Sequence, residues 1–320
     1  MANIIHHPSW KINENEVTPE HTFRNRRDFL KTMGIGSLAF AGLSGGAWAQ
    51  ESSGMSPLPA YTGNPDFADA GRPNTVEELT TTFNNFYEFG FSKSAPAHNA
   101  KGFSLDPYTL KIGGLVDKPT ELDLDQIETL SLQERVYRFR CVEAWGMTVP
   151  WIGVPLSKII QLAKPKSSAK YVAFKTFYDP ERAVGQKDTR YRWPYYEGLR
   201  LDEAMNDLAF IATGHYGKRL APQSGTPLRL VLPWKYGYKG PKSIVEMMFT
   251  DKEPKTFWND ANPSEYKFYS NVDPQVPHPR WSQAKERWLG EGEKAHATEW
   301  YNGYGEQVAE LYADMPRNLY

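Results

Sequence analysis

Cys141 is the only cysteine in this chain of 320 residues. A single cysteine cannot close an internal disulfide, so the fold must form without that kind of staple. Four roles remain for Cys141: an inert buried side chain, a disulfide to another chain, a nucleophile or a metal ligand. Free cysteine is among the most frequently buried residue types, so burial is the simplest of the four. The sequence around Cys141 is the evidence for choosing between these four roles.

The N-terminal segment resembles an export signal of the twin-arginine type. Arg26 and Arg27 lead into a glycine-rich apolar run at 33–43. This run is too short and too rich in glycine to span about 30 Å of hydrocarbon, and 47–49 has the small-x-small pattern of a cleavage site. We predict a signal peptide over residues 1–49, cleavage after Ala49 and a periplasmic location; the alternative is a fortuitous basic patch. Because this route exports folded proteins that often carry a cofactor, it favours a cofactor here.

The charge balance argues against a polyanionic partner. Without residues 1–49 the chain keeps 32 Lys/Arg and 34 Asp/Glu, which gives a net charge of about −2 with neutral histidines. Nucleic-acid binding requires a basic face or stripe, so we predict no nucleic-acid partner. No long uncharged apolar segment follows the signal, so we predict no transmembrane segment in the mature chain.

The mature chain is predicted to consist of an extended arm followed by one domain. Residues 50–73 are rich in Ser, Gly, Pro and Ala and predict an extended N-terminal arm. No sharp linker divides the remainder, so we predict a single catalytic domain over 74–320. Asn74 is followed three residues later by Glu77, a capping-box pattern that predicts the start of a short helix.

Hydrophobic periodicity predicts a mixture of strands and helices. Leu156, Ile159, Ile160 and Ala163 fall on one face of a helix, and a second helix is predicted at 201–205. Alternating or β-branched runs predict strands at 108–112 (ending in a glycine turn), 136–142, 170–177, 208–212, 228–232 and 244–249. Regular βαβ alternation is absent from the pattern, so we predict an α+β fold with mixed, largely antiparallel sheets and surrounding helices.

The predicted strand around Cys141 brings charged residues close to the thiol. A period of two puts Tyr137, Phe139 and Cys141 on one face and the arginines opposite, with Glu143 continuing on the cysteine's side. A neighbouring Arg140 would lower the pKa of the thiol and favour the thiolate, which is the form that binds metal. A solvated face with Arg140 in water is an equal alternative.

Several cofactor and metal motifs are missing from the sequence. It has no Cys-x-x-Cys pair, no Cys-x-x-Cys-His, no His-Glu-x-x-His, no phosphate loop of the Gly-Lys-Ser/Thr type and no Gly-x-Gly-x-x-Gly. A Cys-His hydrolase remains open, with His215 or His278 as the base.

The segment Arg140–Trp145, followed by Val149–Leu156, resembles the molybdenum-ligating cysteine strand of the sulfite-oxidase superfamily. Within that superfamily it resembles the catalytic subunits of periplasmic protein-methionine-sulfoxide reductases. Further motifs of the resemblance occur in the family's order at 84–89, 171–176, 198–205, 233–240 and 278–284. The resemblance extends over essentially the whole mature chain.

This resemblance implies a sulfite-oxidase-type fold that binds one Mo-molybdopterin. It implies Cys141 as the metal ligand, with Asn85 and Glu143 as catalytic candidates beside the metal. The implied cofactor-binding residues are Asn84, Tyr87, Glu88, Thr176, Ser224, Arg229, Gly240, Pro241 and Lys242. Among these, Arg229 and Lys242 suit an anionic phosphate. Ser224 stands where relatives carry Asn and offers fewer hydrogen bonds, and Pro241 has no N–H to donate.

The same resemblance implies an activity and partners. It implies reduction of methionine sulfoxide to methionine by oxygen-atom transfer, repair of oxidised periplasmic proteins, and electrons from a membrane haem-containing, quinol-linked subunit. Two alternatives stay open at this point. One is a sulfite-oxidase-like enzyme acting on a small anion, which should gather arginines around the metal, and the other is a cofactor-free periplasmic binding protein.

Overall fold

The computed structural model describes residues 57–316. The predicted signal peptide and its cleavage site lie outside these residues. Within the part of the predicted arm that is described, Thr62–Gly63 forms a two-residue strand that pairs in parallel with Gln133 and Glu134. The chain is therefore hydrogen-bonded to the domain before the predicted domain boundary at 74.

The described residues form two sheets. The larger sheet has eight strands. They are β1 (Thr62–Gly63), β4 (Gln133–Arg140), β5 (Trp145–Pro155), β8 (Phe210–His215), β9 (Lys218–Arg219), β10 (Arg229–Val231), β12 (Lys285–Trp288) and β13 (Ala295–Ala297). The smaller sheet has five strands in the order β3-β2-β11-β6-β7. They are β2 (Thr109–Gly114), β3 (Thr120–Asp123), β6 (Tyr171–Thr176), β7 (Tyr196–Arg200) and β11 (Ile244–Thr250).

Most strand pairs in these sheets are antiparallel. The parallel pairs are β1 with β4, β2 with β11 and β5 with β12, whereas hairpins such as β4–β5 and β6–β7 run antiparallel. The predicted α+β class with mixed, largely antiparallel sheets is confirmed. The architecture agrees with a molybdopterin-binding fold of the sulfite-oxidase type.

Short helices surround the sheets. The α-helices are α1 (Glu77–Thr82), α2 (Ala95–Asn99), α3 (Leu124–Glu128), α4 (Leu156–Ala163), α5 (Leu201–Met205), α6 (Phe257–Ala261) and α7 (Gly305–Val308). Turns of 3₁₀ helix occur at Pro65–Phe67, Tyr87–Phe89, Val184–Lys187, Pro222–Ser224, Gly237–Lys239, Trp300–Gly303 and Ala309–Tyr312. No helix within 57–316 is long and apolar enough to cross a membrane.

The amphipathic helix predicted from the sequence is confirmed as α4. Its four predicted apolar residues are all buried. Lys164 ends the helix in a left-handed conformation with φ 48°, so the chain leaves in a new direction.

The predicted cap at Asn74 is wrong, although a short helix does follow it. The helix α1 begins at Glu77, and its N-cap is Val76, which makes no side-chain capping bond. The reason is tertiary, because Thr75 pairs with β5: its N–H donates to the carbonyl of Thr148 at 2.9 Å, and its hydroxyl accepts from the N–H of Thr148 at 3.0 Å. This pairing holds the chain extended until residue 76.

The long strand β5 is the centre of the core. All eleven of its residues are buried, because β4, β8 and β12 pair with it along its length. Gly153 sits where the register with β8 shifts, and a Cβ there would collide with the carbonyl oxygen of Ile211. Glycine is the residue that allows two backbones to approach so closely.

His215, at the end of β8, is a neutral histidine in the core. It is 2% exposed, and its Nδ1 has no hydrogen-bond partner among the described residues. Burial, and then the positive charge of Arg229, lower its pKa to about 4. A histidine whose pKa is lower in the folded than in the unfolded chain stabilises the fold fully at pH values above its unfolded pKa of about 6.5. This stabilisation is lost as the pH falls from there towards the folded pKa.

We predict that His215→Gln makes the free energy of unfolding of the cofactor-free protein depend less on pH below pH 7. Between pH 7 and pH 5 the wild type should lose about 2 kcal/mol relative to the variant. Urea unfolding at several pH values, followed by circular dichroism, measures this difference. The exposed His98 provides the control, and His98→Gln should leave the profile unchanged. Equal pH profiles for wild type and His215→Gln would contradict the prediction.

Candidate functional site

A cavity of about 410 Å³ opens beside Cys141. Five parts of the chain line it: 83–88, the end of the β4–β5 hairpin at 139–147, 191–195, Arg229 with 237–242, and the segments around 258–281. All of the predicted site residues except Thr176 and Ser224 face this cavity. Thr176 and Ser224 are buried just behind it, where Ser224 accepts a hydrogen bond from Arg229 and Thr176 contacts Glu88.

Cys141 lies in a tight turn and not in a strand. Strand β4 ends at Arg140, so the predicted strand over 136–142 is two residues too long. The N–H of Cys141 donates to the carbonyl of Trp145 at 2.8 Å, the N–H of Ala144 donates back to the carbonyl of Cys141 at 3.1 Å, and Ala144 has φ 62°. This is the pattern of a short hairpin loop with one residue in the left-handed region. The Cys141 and Glu143 side chains therefore meet through the turn, and not through strand alternation.

Arg140 faces away from the thiol, which corrects the prediction that it activates Cys141. Its guanidinium is fully buried and donates to Glu286 at 2.7 Å and to Gln283 at 2.8 Å. The alternative of a solvated Arg140 is equally wrong. Burial, and then the negative charge of Glu143, raise the pKa of Cys141 to about 12, while the small opposing effect of Arg140 does not reverse this. Only a bound cation would convert this thiol to a thiolate at neutral pH.

Asn85 and Glu143 converge on the sulfur of Cys141. The Asn85 Nδ2 donates to Sγ at 3.5 Å and to Glu143 Oε2 at 3.2 Å, and the backbone N–H of Glu143 donates to Sγ at 3.4 Å. Burial opposes the ionisation of Glu143, but hydrogen bonds from Lys93 and then Trp145 lower its pKa overall. A carboxylate therefore stands beside the thiol at neutral pH.

Lys93 is a site residue that the sequence did not predict. Its Nζ lies 2.5 Å from Glu143 Oε2 and donates to Asn85 Oδ1 at 2.6 Å. It stands in an irregular loop before α2, and no motif marks it.

The cavity is also lined by two cations, the buried Arg229 and the partly buried Lys242. Arg229, on β10, donates to the carbonyl of Ser224 at 3.1 Å, and its Nε has no partner among the described residues. Burial lowers its pKa to about 10. Burial, and then the charge of Arg229, lower the pKa of Lys242, whose Nζ donates to the carbonyl of Asn85 at 2.6 Å. Burial raises the pKa of the neighbouring Glu88, so this acid is a poor counterion for the two cations.

Backbone groups of the 240–242 segment already make hydrogen bonds within the chain. The N–H of Gly240 donates to the carbonyl of Gly237 at 3.1 Å, and the carbonyl of Pro241 accepts from the N–H of Leu230 at 3.0 Å. A Cβ at position 240 would lie 2.5 Å from the carbonyl oxygen of Leu230, which explains the glycine. In this segment the ammonium of Lys242 is the donor that keeps capacity for a ligand, with two N–H groups beyond the one used by Asn85.

Aromatic side chains form most of the remaining wall. Trp258 contacts both Tyr87 and Tyr191, with ring centroids 5.2 Å apart for Tyr87 and 5.9 Å apart for Tyr191. At the mouth Trp281 donates its indole N–H to the carbonyl of Val142 at 2.8 Å. Neither His215 nor His278 lines the cavity, and this geometry does not support a Cys-His hydrolase.

The comparisons with known proteins point to one family. A family model described as "Oxidoreductase molybdopterin binding domain" matches residues 97–258, which is half of the chain. The crystal structure of the sulfane dehydrogenase SoxCD from Paracoccus pantotrophus is similar to this chain at 19% identity and a TM-score of 0.40. That similarity covers 51% of this chain and 42% of the other, so this chain spans less than half of the length of that relative.

The residues present fit the molybdopterin cofactor that the family binds. A molybdopterin carries an anionic phosphate and a metal-binding dithiolene, and the cavity is lined by two cations, Arg229 and Lys242, and by the thiol of Cys141. Four buried polar atoms that face or adjoin the cavity have no hydrogen-bond partner among the described residues: Asn84 Oδ1, Thr176 Oγ1, Ser224 Oγ and Arg229 Nε. Buried polar atoms are normally hydrogen-bonded, so four together indicate a polar ligand.

We predict that Arg229→Met lowers cofactor retention. The loss of one or two charge-assisted hydrogen bonds to a phosphate, about 1.5–3 kcal/mol each, should weaken binding at least 10-fold. Molybdenum and pterin contents of the purified protein measure this loss. The same substitution removes an uncompensated buried charge, so the cofactor-free variant should be at least as stable as the cofactor-free wild type.

Arg219→Met provides the control for this variant. Arg219 also pairs within the domain, binding Glu128 at 2.6 Å, but it does not line the cavity. Its cofactor content should match that of the wild type. Full molybdenum and pterin occupancy in Arg229→Met would contradict the phosphate assignment.

Proposed function

The chain belongs to the oxidoreductase molybdopterin-binding domain family, and on that premise we propose that it reduces methionine sulfoxide, free or within proteins, to methionine. The observation that carries this proposal is the pairing of the Glu143 carboxylate with an aromatic wall beside Cys141. The carboxylate oxygen lies 3.8 Å from Sγ. Lys93 pairs with the same oxygen at 2.5 Å, so this side of the cavity offers no net positive charge to a small anionic substrate, whereas a sulfoxide is neutral and needs none.

The positions of the arginines favour a neutral substrate as well. Of the arginines within 57–316, only Arg229 and Arg280 line the cavity. Arg229 donates to the carbonyl of Ser224, and Arg280 is paired with Glu265 at 2.8 Å. An oxidase of small anions needs positive charge gathered around its metal, whereas Lys93, the cation beside Glu143, is neutralised by its ion pair with that carboxylate.

The aromatic wall suits the apolar part of the substrate. Methionine sulfoxide combines a polar S=O group with methyl and methylene groups, and sulfur-bearing side chains pack favourably against aromatic rings. Tyr87, Trp258 and Tyr266 offer such rings. Asn85 lines the cavity with its Nδ2 beside Cys141 Sγ, so the polar S=O group would bind on that side.

The proposed reaction breaks the S=O bond, consumes two electrons and two protons, and yields a thioether and water. When bound, the molybdenum cofactor supplies this two-electron oxygen-transfer chemistry. Cys141 is the proposed metal ligand, since it is the only cysteine and its sulfur faces the cavity. Glu143 stays a carboxylate beside this sulfur, because its Oε2 is paired with Lys93 and accepts a hydrogen bond from Trp145.

The location and the partners are part of the proposal. The paired Arg26 and Arg27 with the apolar run and the 47–49 motif support export to the periplasm with cleavage after Ala49. There the substrates would be oxidised periplasmic proteins. The electrons would come from a membrane haem-containing, quinol-linked subunit, as the resemblance in sequence implies.

Purified, molybdenum-loaded protein is the test of this activity. With a reduced viologen dye as the electron donor, we expect turnover of methionine sulfoxide both as the free amino acid and within an oxidised protein. With an artificial electron acceptor, we expect sulfite oxidation to be much slower, because the ion pair of Glu143 with Lys93 leaves no net positive charge beside the thiol to attract an anion. Turnover of sulfite without turnover of sulfoxides would reject the proposal, and so would purified exported protein without stoichiometric molybdenum and pterin.

We predict that Cys141→Ala abolishes sulfoxide reduction while the domain stays folded. The substitution removes the proposed ligand, but it deletes a single buried atom and should change the free energy of unfolding by only about 1 kcal/mol. Turnover assays and urea unfolding measure the two effects. Met147→Leu, which alters another buried sulfur-containing side chain of the cavity wall, is the control and should retain activity. Activity near wild type in Cys141→Ala would refute the ligand assignment.

A further inference from the structure

Lys93 holds the segment at 84–85 through both its backbone and its side chain. Its carbonyl accepts the N–H of Asn84 at 2.8 Å. Its ammonium reaches over the same segment to Asn85 Oδ1 at 2.6 Å and to Glu143 Oε2 at 2.5 Å. Two parts of the chain that are 58 residues apart, at Asn85 and Glu143, therefore meet on one ammonium group.

The ammonium also decides which way the Asn85 amide points. A lysine ammonium has three donors and no acceptor, so it can contact the amide only through Oδ1. With Oδ1 fixed on Lys93, Nδ2 must turn to the other side, where it donates to Cys141 Sγ and to Glu143 Oε2. If the amide were reversed, its oxygen would face the carboxylate of Glu143, and that contact would become repulsive.

The same ammonium holds the carboxylate close to the sulfur. The Cys141 thiol donates to Glu143 Oε2 at 3.8 Å. The ammonium of Lys93 and the indole N–H of Trp145, which donates to Oε2 at 3.1 Å, hold the oxygen in this position. Without Lys93 only neutral donors would hold the carboxylate there.

We propose that Lys93 is a positioning residue that fixes the Asn85 amide and the Glu143 carboxylate against the sulfur of Cys141. Its functional part rests on the proposed function, because it assumes that Asn85 and Glu143 act on a substrate beside that sulfur. The competing explanation is an ordinary ion pair at the rim of the cavity. Such pairs contribute about 0–1 kcal/mol to stability and leave the geometry of their neighbours unchanged.

The first measurement is the side-chain amide signal of Asn85 in the cofactor-free protein. In a ¹H–¹⁵N spectrum this signal is the NH₂ pair that disappears in Asn85→Leu. We expect Lys93→Met to move or broaden the pair strongly, because the amide loses its fixed orientation. Lys93→Arg should restore a sharp pair near the wild-type position, since a guanidinium can donate to both oxygens. Lys218→Met, which removes another ion-paired lysine from Glu77, is the control and should leave the signal unchanged.

The second measurement separates kcat from KM in the molybdenum-loaded enzyme. We expect Lys93→Met to lower kcat about 10-fold, as is typical when a group that orients a metal-site residue is removed. KM should stay within about 2-fold, because the aromatic wall that holds the substrate is intact. Lys93→Arg should recover most of kcat, and Lys218→Met should behave as the wild type.

Each outcome decides the proposal. An unchanged Asn85 signal in Lys93→Met overturns it, and so does a moved signal with unchanged kcat, which would make the orientation irrelevant to turnover. Equal impairment of Lys93→Met and Lys93→Arg would also overturn it, because the shape of the side chain and not its charge would then matter. A wild-type protein that does not reduce sulfoxides would reject the proposed function, whereas the amide signal would still decide whether Lys93 positions Asn85.

Discussion

The site depends on how Arg140 anchors the turn that carries Cys141. Its guanidinium is fully buried and binds Glu286, on β12, at 2.7 Å, while it also donates to the carbonyl of Cys141 itself. Burying two charges is costly, and such a pair is tolerated when further hydrogen bonds satisfy it, as Gln283 does here at 2.8 Å. Removing one partner of a pair of this kind typically costs about 3–5 kcal/mol. The turn is thus fixed by a distant part of the chain.

The same distant segment reinforces the turn at its next residue. The carbonyl of Val142 accepts from the Trp281 indole at 2.8 Å and from the Gln283 amide at 2.7 Å. With β12 paired in parallel to the start of β5, the hairpin end is held on several sides. The proposed role of this sulfur as a metal ligand would need such support, since small displacements are costly at reactive sites.

The sequence predicted the regular elements well and the turn poorly, for reasons that can be traced. The apolar face of Leu156–Ala163 is a local property, and the structure confirms it. The cap at Asn74 failed because Thr75 pairs with a strand more than 70 residues away. The environment of Arg140 depends on Glu286, which is 146 residues away, and no local pattern reports such a contact. Most of the predicted site residues do face the cavity, because they lie in motifs that could be recognised in the sequence. Lys93 lies in no such motif.

Two groups that line the cavity carry charges that burial disfavours. Burial lowers the pKa of Arg229 and disfavours its positive charge. Burial and Glu143 raise the pKa of Cys141 and disfavour its negative charge. An anionic phosphate would stabilise the first charge, and a metal cation would stabilise the second. The cationic and thiol sides are also linked, because Lys242 donates to the carbonyl of Asn85, whose side chain contacts Sγ. A ligand that carries both charges at once therefore stabilises the folded chain more than either charge alone, and its binding is coupled to stability by mass action.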